Sequence, residues 1–161
     1  MPLNTVQAHL KSLLDGTVLP YDAGALSAFI APPDPGDGMQ PSVYIWGSIA
    51  TDARQSMPRG MGFRLIAHEI DLWLIWVAPN DDPYADSAFP GILDAVVQQL
   101  RTAPMPVLNQ PDPANTGVVS DLLKIGERVR WDYAPVHSIE DQRYWVYTAR
   151  IICDVTEKLQ A

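Results

Sequence analysis

A chain of 161 residues has room for one domain with a full core and is too short for two ordinary ones. With 47% apolar and 19% charged residues spread along its length, it carries too much apolar area for a disordered protein and too little charge for a coiled coil. The formal charge of −8, from 19 acidic against 11 basic residues, excludes a non-specific nucleic-acid binder, which needs a basic field to displace counterions.

The sequence begins with Met1-Pro2-Leu3-Asn4 and lacks the basic and apolar regions of a secretory leader, which predicts assembly in a cytosol. Asn4-Thr5-Val6-Gln7 has the form of a capping box. Val6, Leu10, Leu13 and Leu14 follow on one helical stripe, and Gly16 suits a left-handed stop, so a first helix is predicted at 4–15. Residues 17–41 are irregular, and 31–38, with three prolines and two glycines, read as a surface loop.

Residues 42–50 are β-branched and aromatic and predict a strand. Pro58, Gly60 and Gly62 suggest a hairpin connection over 55–62. The next predicted strand, 63–78, changes character along its length. Its first half sets Ile66 and Ile70 against His68, Glu69 and Asp71, whereas Leu72 through Val77 is wholly apolar. Neighbouring strand residues point to opposite faces, so both faces need cover there. Helices of the chain suit one face; a second layer or another subunit is expected on the other. The longest apolar run, Leu72 to Pro79, is far below the ~18 residues of a membrane span.

Residues 79–86 form an acidic stretch expected to be a loop. Ser87 is a candidate N-cap, with Pro90 in the first turn of a helix at 88–102 whose stripe is Phe89, Ile92, Leu93, Val96, Val97 and Leu100. Pro104, Pro106, Pro111 and Pro113 then bar regular structure until about Val118. The last forty residues alternate like a long antiparallel hairpin. Val129, Trp131 and Tyr133 form one apolar set, and Trp145, Tyr147, Ala149, Ile151, Cys153 and Val155 the other. Tyr144, Val146 and Ile152 leave the opposite face semi-apolar, which is more than a solvated face requires. The predicted fold is α+β and occupies residues 1–161 as one domain. It is a mainly antiparallel sheet of about four strands with two helices on one face and long proline-rich loops.

No constellation in the chain predicts catalysis. His68-Glu69-Ile70-Asp71 starts like a metalloprotease helix, but position 72 is Leu rather than the second histidine, and on a strand His68 and Glu69 face opposite sides. A polar strand edge accounts for it better. Asn80, Asp81, Asp82 and Asp86 offer oxygen donors yet lack the glycine and terminal Glu of a calcium loop; a solvated acidic loop before a helix is the simpler reading. Gly60-Met61-Gly62 precedes a strand and lacks the third glycine of a dinucleotide fingerprint. Gly47-Ser48 lacks the nucleophile-elbow pattern, although Ser48 with His9, His68 or His137 remains a chance pairing. The single cysteine, Cys153, excludes an internal disulfide and reads as a buried small hydrophobe. Trp131, Tyr133, Trp145 and Tyr147 have the spacing of a base-stacking platform but no basic rim, so core packing is expected. No cofactor or metal is predicted.

Taken together, the helix with Val6, Leu10, Leu13 and Leu14, the strand pair ending in Glu69–Trp76, the helix Ile92–Leu100 and the closing hairpin to Asp154 resemble the bacteriophage tail terminator family of long non-contractile tails. The proline-rich stretches 31–41 and 104–113 depart from the leanest members. The resemblance implies a non-enzymatic virion protein, a hexameric ring at the head-proximal end of the tail. Such a ring ends tube polymerisation and binds tail tube protein on one side and the head connector or stopper on the other. It also implies a lumen through which DNA passes without specific binding, with Asp81, Asp82 or Asp86 as candidate lining residues, and no membrane partner. Two alternatives fit the same pattern: another neck protein of the stopper kind, or a small α+β enzyme or ligand-binding domain with a pocket under residues 104–118.

Overall fold

The computed structural model describes residues 3–21, 23–34, 40–56, 62–79, 85–102, 110–111, 119–133, 137–138 and 144–160. Helix α1 spans Leu3–Leu14, so Asn4 lies in the first turn rather than at the cap, a difference within the fraying of a helix end. Val6, Leu10 and Leu14 are buried. Gly16 takes a φ of 80°, the left-handed stop that only glycine adopts without cost. The Thr17 hydroxyl donates to the Leu14 carbonyl at 2.7 Å and closes the last turn.

Strand β1 (Ser27–Phe29) pairs parallel with β2 (Ser42–Ser56). The sequence predicts neither this strand nor its direction. It is anchored locally, since the Ala28 amide donates to Oδ1 of Asp15 at 3.0 Å. Strand β3 (Gly62–Pro79) returns antiparallel to β2. Helix α2 (Ala85–Arg101) follows, then the two-residue β4 (Gln110–Pro111), β5 (Val119–Tyr133), the two-residue β6 (His137–Ser138) and β7 (Tyr144–Gln160). The sheet order is β1-β2-β3-β7-β5-β4, with β6 pairing β7. The protein is therefore α+β, and the sheet is mixed. Its four long strands are β2, β3, β5 and β7, and the three short ones are additions to the predicted count. The last strand in the chain is the middle one in space, between β3 and β5.

Of the predicted loops, residues 35–39, 80–84, 103–109 and 112–118 lie outside the described residues. Gln110–Pro111, within a predicted loop, instead pairs with β5 at the sheet margin, the place where a strand proline is tolerated.

Both helices cover one face of the sheet. The core joins Val6, Leu10 and Leu14 of α1 and Phe89, Ile92, Val96 and Leu100 of α2 to Val43, Ile45, Ile70, Leu72, Leu74, Ala149, Ile151 and Cys153 of the strands. Helix α2 starts earlier than predicted, which places Ser87 inside its first turn and Pro90 one turn in. Pro90 has no N–H for the Asp86 carbonyl, and this costs one helical bond. Packing offsets that loss. Phe89 is fully buried in a three-ring cluster with Trp76 (ring centroids 6.4 Å apart) and Tyr147 (5.3 Å), which also touch each other (5.6 Å), and the Tyr147 hydroxyl donates to Oδ1 of Asp86 at 2.5 Å.

On the helix-free face of the Leu72–Val77 stretch, where a second layer or another subunit is expected, the cover at two residues comes from the chain itself. Ile75 and Val77 point away from the helices yet are only 6% and 4% exposed within the single chain. No second subunit is required to cover these two residues. Among the described residues, open apolar side chains lie near the β1–β2 margin (Phe29, Trp46, Ile49) and also on β5 and β7 (Trp131, Tyr144, Trp145).

Candidate interaction surface

Residues paired across a sheet share a face, so the register builds the helix-free face row by row. One row runs Phe29, Tyr44, Trp73, Arg150 and Asp132 across β1, β2, β3, β7 and β5. Phe29 and Tyr44 stack at 5.4 Å and 25°. The Arg150 guanidinium lies 5.9 Å from the Trp73 ring centre and donates through Nη2 to Oδ2 of Asp71 at 2.8 Å. One row along, Arg130 on β5 reaches over β7 to Oε1 of Glu69 on β3 at 2.7 Å, with Oδ1 of Asp154 at 3.9 Å. Each of these pairs is partly exposed, so each contributes about 0–1 kcal/mol. Their effect is to hold the arginines flat over the strands.

At the β2 margin the surface turns apolar. Trp46 is 49% and Ile49 67% exposed, beside the exposed ring of Phe29. Between Ile45 and Ser48 the β2–β3 register slips by one residue at a bulge. Gly47 there has a φ of 85°, and a Cβ on it would lie 3.6 Å from the Asp71 carboxylate. The bulge re-aims Trp46 and brings the β2 backbone close to the Asp71–Arg150 pair. Burial pushes the Tyr44 phenol above its ordinary value of 10.0, and the negative charge of Asp34 adds to this.

A second apolar feature lies on the other flank. Pro90, Leu93, Asp94 and Val97 of α2 and Trp131 of β5 line an open groove of about 440 Å³. The Arg101 guanidinium sits 5.1 Å over the Trp131 ring.

The predicted site residues scatter across this framework. His68 lies on the helix-covered face with Ile70 rather than with Glu69 and Asp71, and is 3% exposed. Glu69 is on the other face, paired with Arg130, so the His-Glu motif has no common side. Ser48 opposes Ile70, which makes it a diagonal neighbour of His68. His9 is on α1, and the α2 groove includes none of these three residues. Asp86 is held by Tyr147, while Asn80, Asp81, Asp82, Gly60 and Met61 lie outside the described residues. Cys153 is buried in the core. Tyr147 is a core residue, but Trp131 and Trp145 are exposed. At Trp131 the β5 strand has no described neighbour on its outer side, so cover there is incomplete. Among the described residues no three His, Cys, Asp or Glu side chains come together to hold a metal, and no helix is long and apolar enough to cross a membrane.

Sequence reasoning missed the two arginine clamps. In the sequence Arg128, Arg130 and Asp132 alternate with Val129, Trp131 and Tyr133, but that Arg130 meets Glu69 and Arg150 meets Asp71 follows only once β7 is known to lie between β5 and β3. On the helix-free face the described residues present stacked rings, guanidinium groups held over the strands and exposed aliphatic side chains. The sequence matches no protein-family model and no curated protein.

Proposed function

We propose that this protein is a structural virion subunit of the tail-terminator kind, forming a ring at the head-proximal end of a phage tail. There it would end tube polymerisation and join the tail to the head connector. The observation that carries the reading is the apolar margin at β1 and β2. Phe29, Trp46 and Ile49 are presented to solvent there, beside a long strand, β2, that among the described residues is paired on its outer side only over Ser42–Tyr44. Such margins are hidden in assemblies and are hazards in isolated chains. The order of long elements, helix, two strands, helix, two strands, is the order on which the family resemblance rests. The net charge of −8 suits a lumen along which DNA slides, because like charges repel phosphates. The partners on this reading are copies of the chain itself, the tail tube protein and the connector or stopper.

Size-exclusion chromatography with light scattering tests the proposal. A particle six-fold heavier than the monomer, which also caps purified tail tubes, is expected. A species that stays monomeric at all concentrations and caps nothing overturns it. The α2 groove favours one second reading, a ligand-binding domain. Its lining by Pro90, Leu93, Val97 and the Trp131 ring would take a small apolar compound, and thermal stabilisation by such a compound without any ring would support that reading.

A further inference from the structure

Among the described residues, the sheet has two long margins with little pairing on their outer sides. On β2, β1 pairs only with Ser42–Tyr44, and among the described residues nothing pairs with the outer side over 45–56. On β5, β4 pairs only with Val119 and Ser120, and nothing described pairs with the outer side over 121–133. These open runs are nearly equal in length and lie at opposite ends of the order β2-β3-β7-β5. Every step in that order is antiparallel, so β2 and β5 run in opposite directions.

From this we infer that the two margins are complementary, and that the occupant of each is a second copy of the chain. The β5 margin of one copy pairs antiparallel with the β2 margin of the next, and the sheet continues across the subunit boundary. The inference rests on the ring reading and specifies its contact. A copy rotated about an axis along the strands presents β2 to the first copy's β5 in the sense that continues the alternation. The outward amides and carbonyls of both strands then meet partners. Pairing β2 with β2 would leave both β5 margins open, whereas the head-to-tail contact satisfies both margins of every copy and closes when the rotation returns to its start. The register slips at Ile45/Ser48 on β2 and at Ile125/Val129 on β5 bend these strands, as a curved wall requires.

Hydrogen exchange read by mass spectrometry on the intact protein tests the inference, with the mass determined by light scattering in the same buffer. In an open margin, alternate amides point to solvent and exchange freely; in a paired margin all are protected. In a ring, continuous protection over 45–56 and 121–133 is expected, with the outward amides slowed by about tenfold or more. A ring in which both runs keep the alternating pattern overturns the pairing and leaves the ring. Protection of one run alone means like-to-like contact and also overturns it. A monomer at every concentration overturns the ring reading and this inference together.

Discussion

Replacing Phe89 with Ala tests whether the aromatic cluster fastens α2 to the sheet. Phe89 is fully buried and packs against both Trp76 and Tyr147, which touch each other as well. Truncating such a residue costs about 3–5 kcal/mol in lost transfer energy and cavity formation. Of this, each ring pair accounts for about 0.5–1.5 kcal/mol. Against a total stability of about 5–15 kcal/mol, this is a large fraction. At about 2–4 °C per kcal/mol for a chain of this length, the midpoint should fall by roughly 6–20 °C. Phe89→Leu keeps most of the apolar volume and loses the ring pairs, so about 1–2 kcal/mol is expected. Trp131→Ala is the surface control, since that ring is 44% exposed beneath Arg101; about 1 kcal/mol is expected from its partial burial and the cation contact. Thermal and urea unfolding followed by circular dichroism measure all three. Samples are kept at one protein concentration because self-association adds to apparent stability. If Phe89→Ala cost no more than Trp131→Ala, the cluster would not anchor the helix, and the explanation for Pro90 being tolerated inside α2 would fail with it.

Gly47→Ala should cost about 1 kcal/mol in the same assay. The added methyl meets Asp71 at ordinary contact distance, so the penalty comes from the backbone at a φ of 85°, and an unchanged midpoint would refute this. Tyr44 should make stability fall as the pH rises past 10.0. Burial, and secondly Asp34, raise its folded value, so in that window the native state keeps a proton that the unfolded chain releases. The difference in phenolate absorbance between the protein and Tyr44→Phe should appear above that pH; a component at or below the ordinary value would contradict it.

How much of the fold the sequence discloses follows from what each pattern can encode. Helix α1 is legible because its stripe, Gly16 and short span are all local signals. The start of α2 is not, because Ala85 and Ala88 are weak markers and Pro90 argues against a helix that Phe89, Trp76 and Tyr147 hold in place. Strand β1 has three residues and takes its direction from a distant partner, so no periodicity announces it. The closing hairpin is legible from its alternation, yet alternation carries no strand order, and the position of β7 between β3 and β5 decides which charges meet. For the same reason Trp131 and Trp145 read as core: their spacing marks a face but not how far the helices extend over it. Ile75 and Val77 show the converse, since an apolar run on both faces implies cover without saying that the same chain supplies it.

The central placement of β7 has a consequence for biosynthesis. A ribosome releases β2, β3 and α2 well before the strand on which β3 and β5 both register. Until residues 144–160 emerge, β3 exposes a flank of eighteen residues rich in tryptophan and isoleucine. Pairings of such long sequence separation form slowly, and unfinished sheets of this kind coalesce when crowded. A nascent chain stalled before Tyr144 should therefore be a client for chaperones, and the yield of soluble protein should depend on how quickly translation finishes.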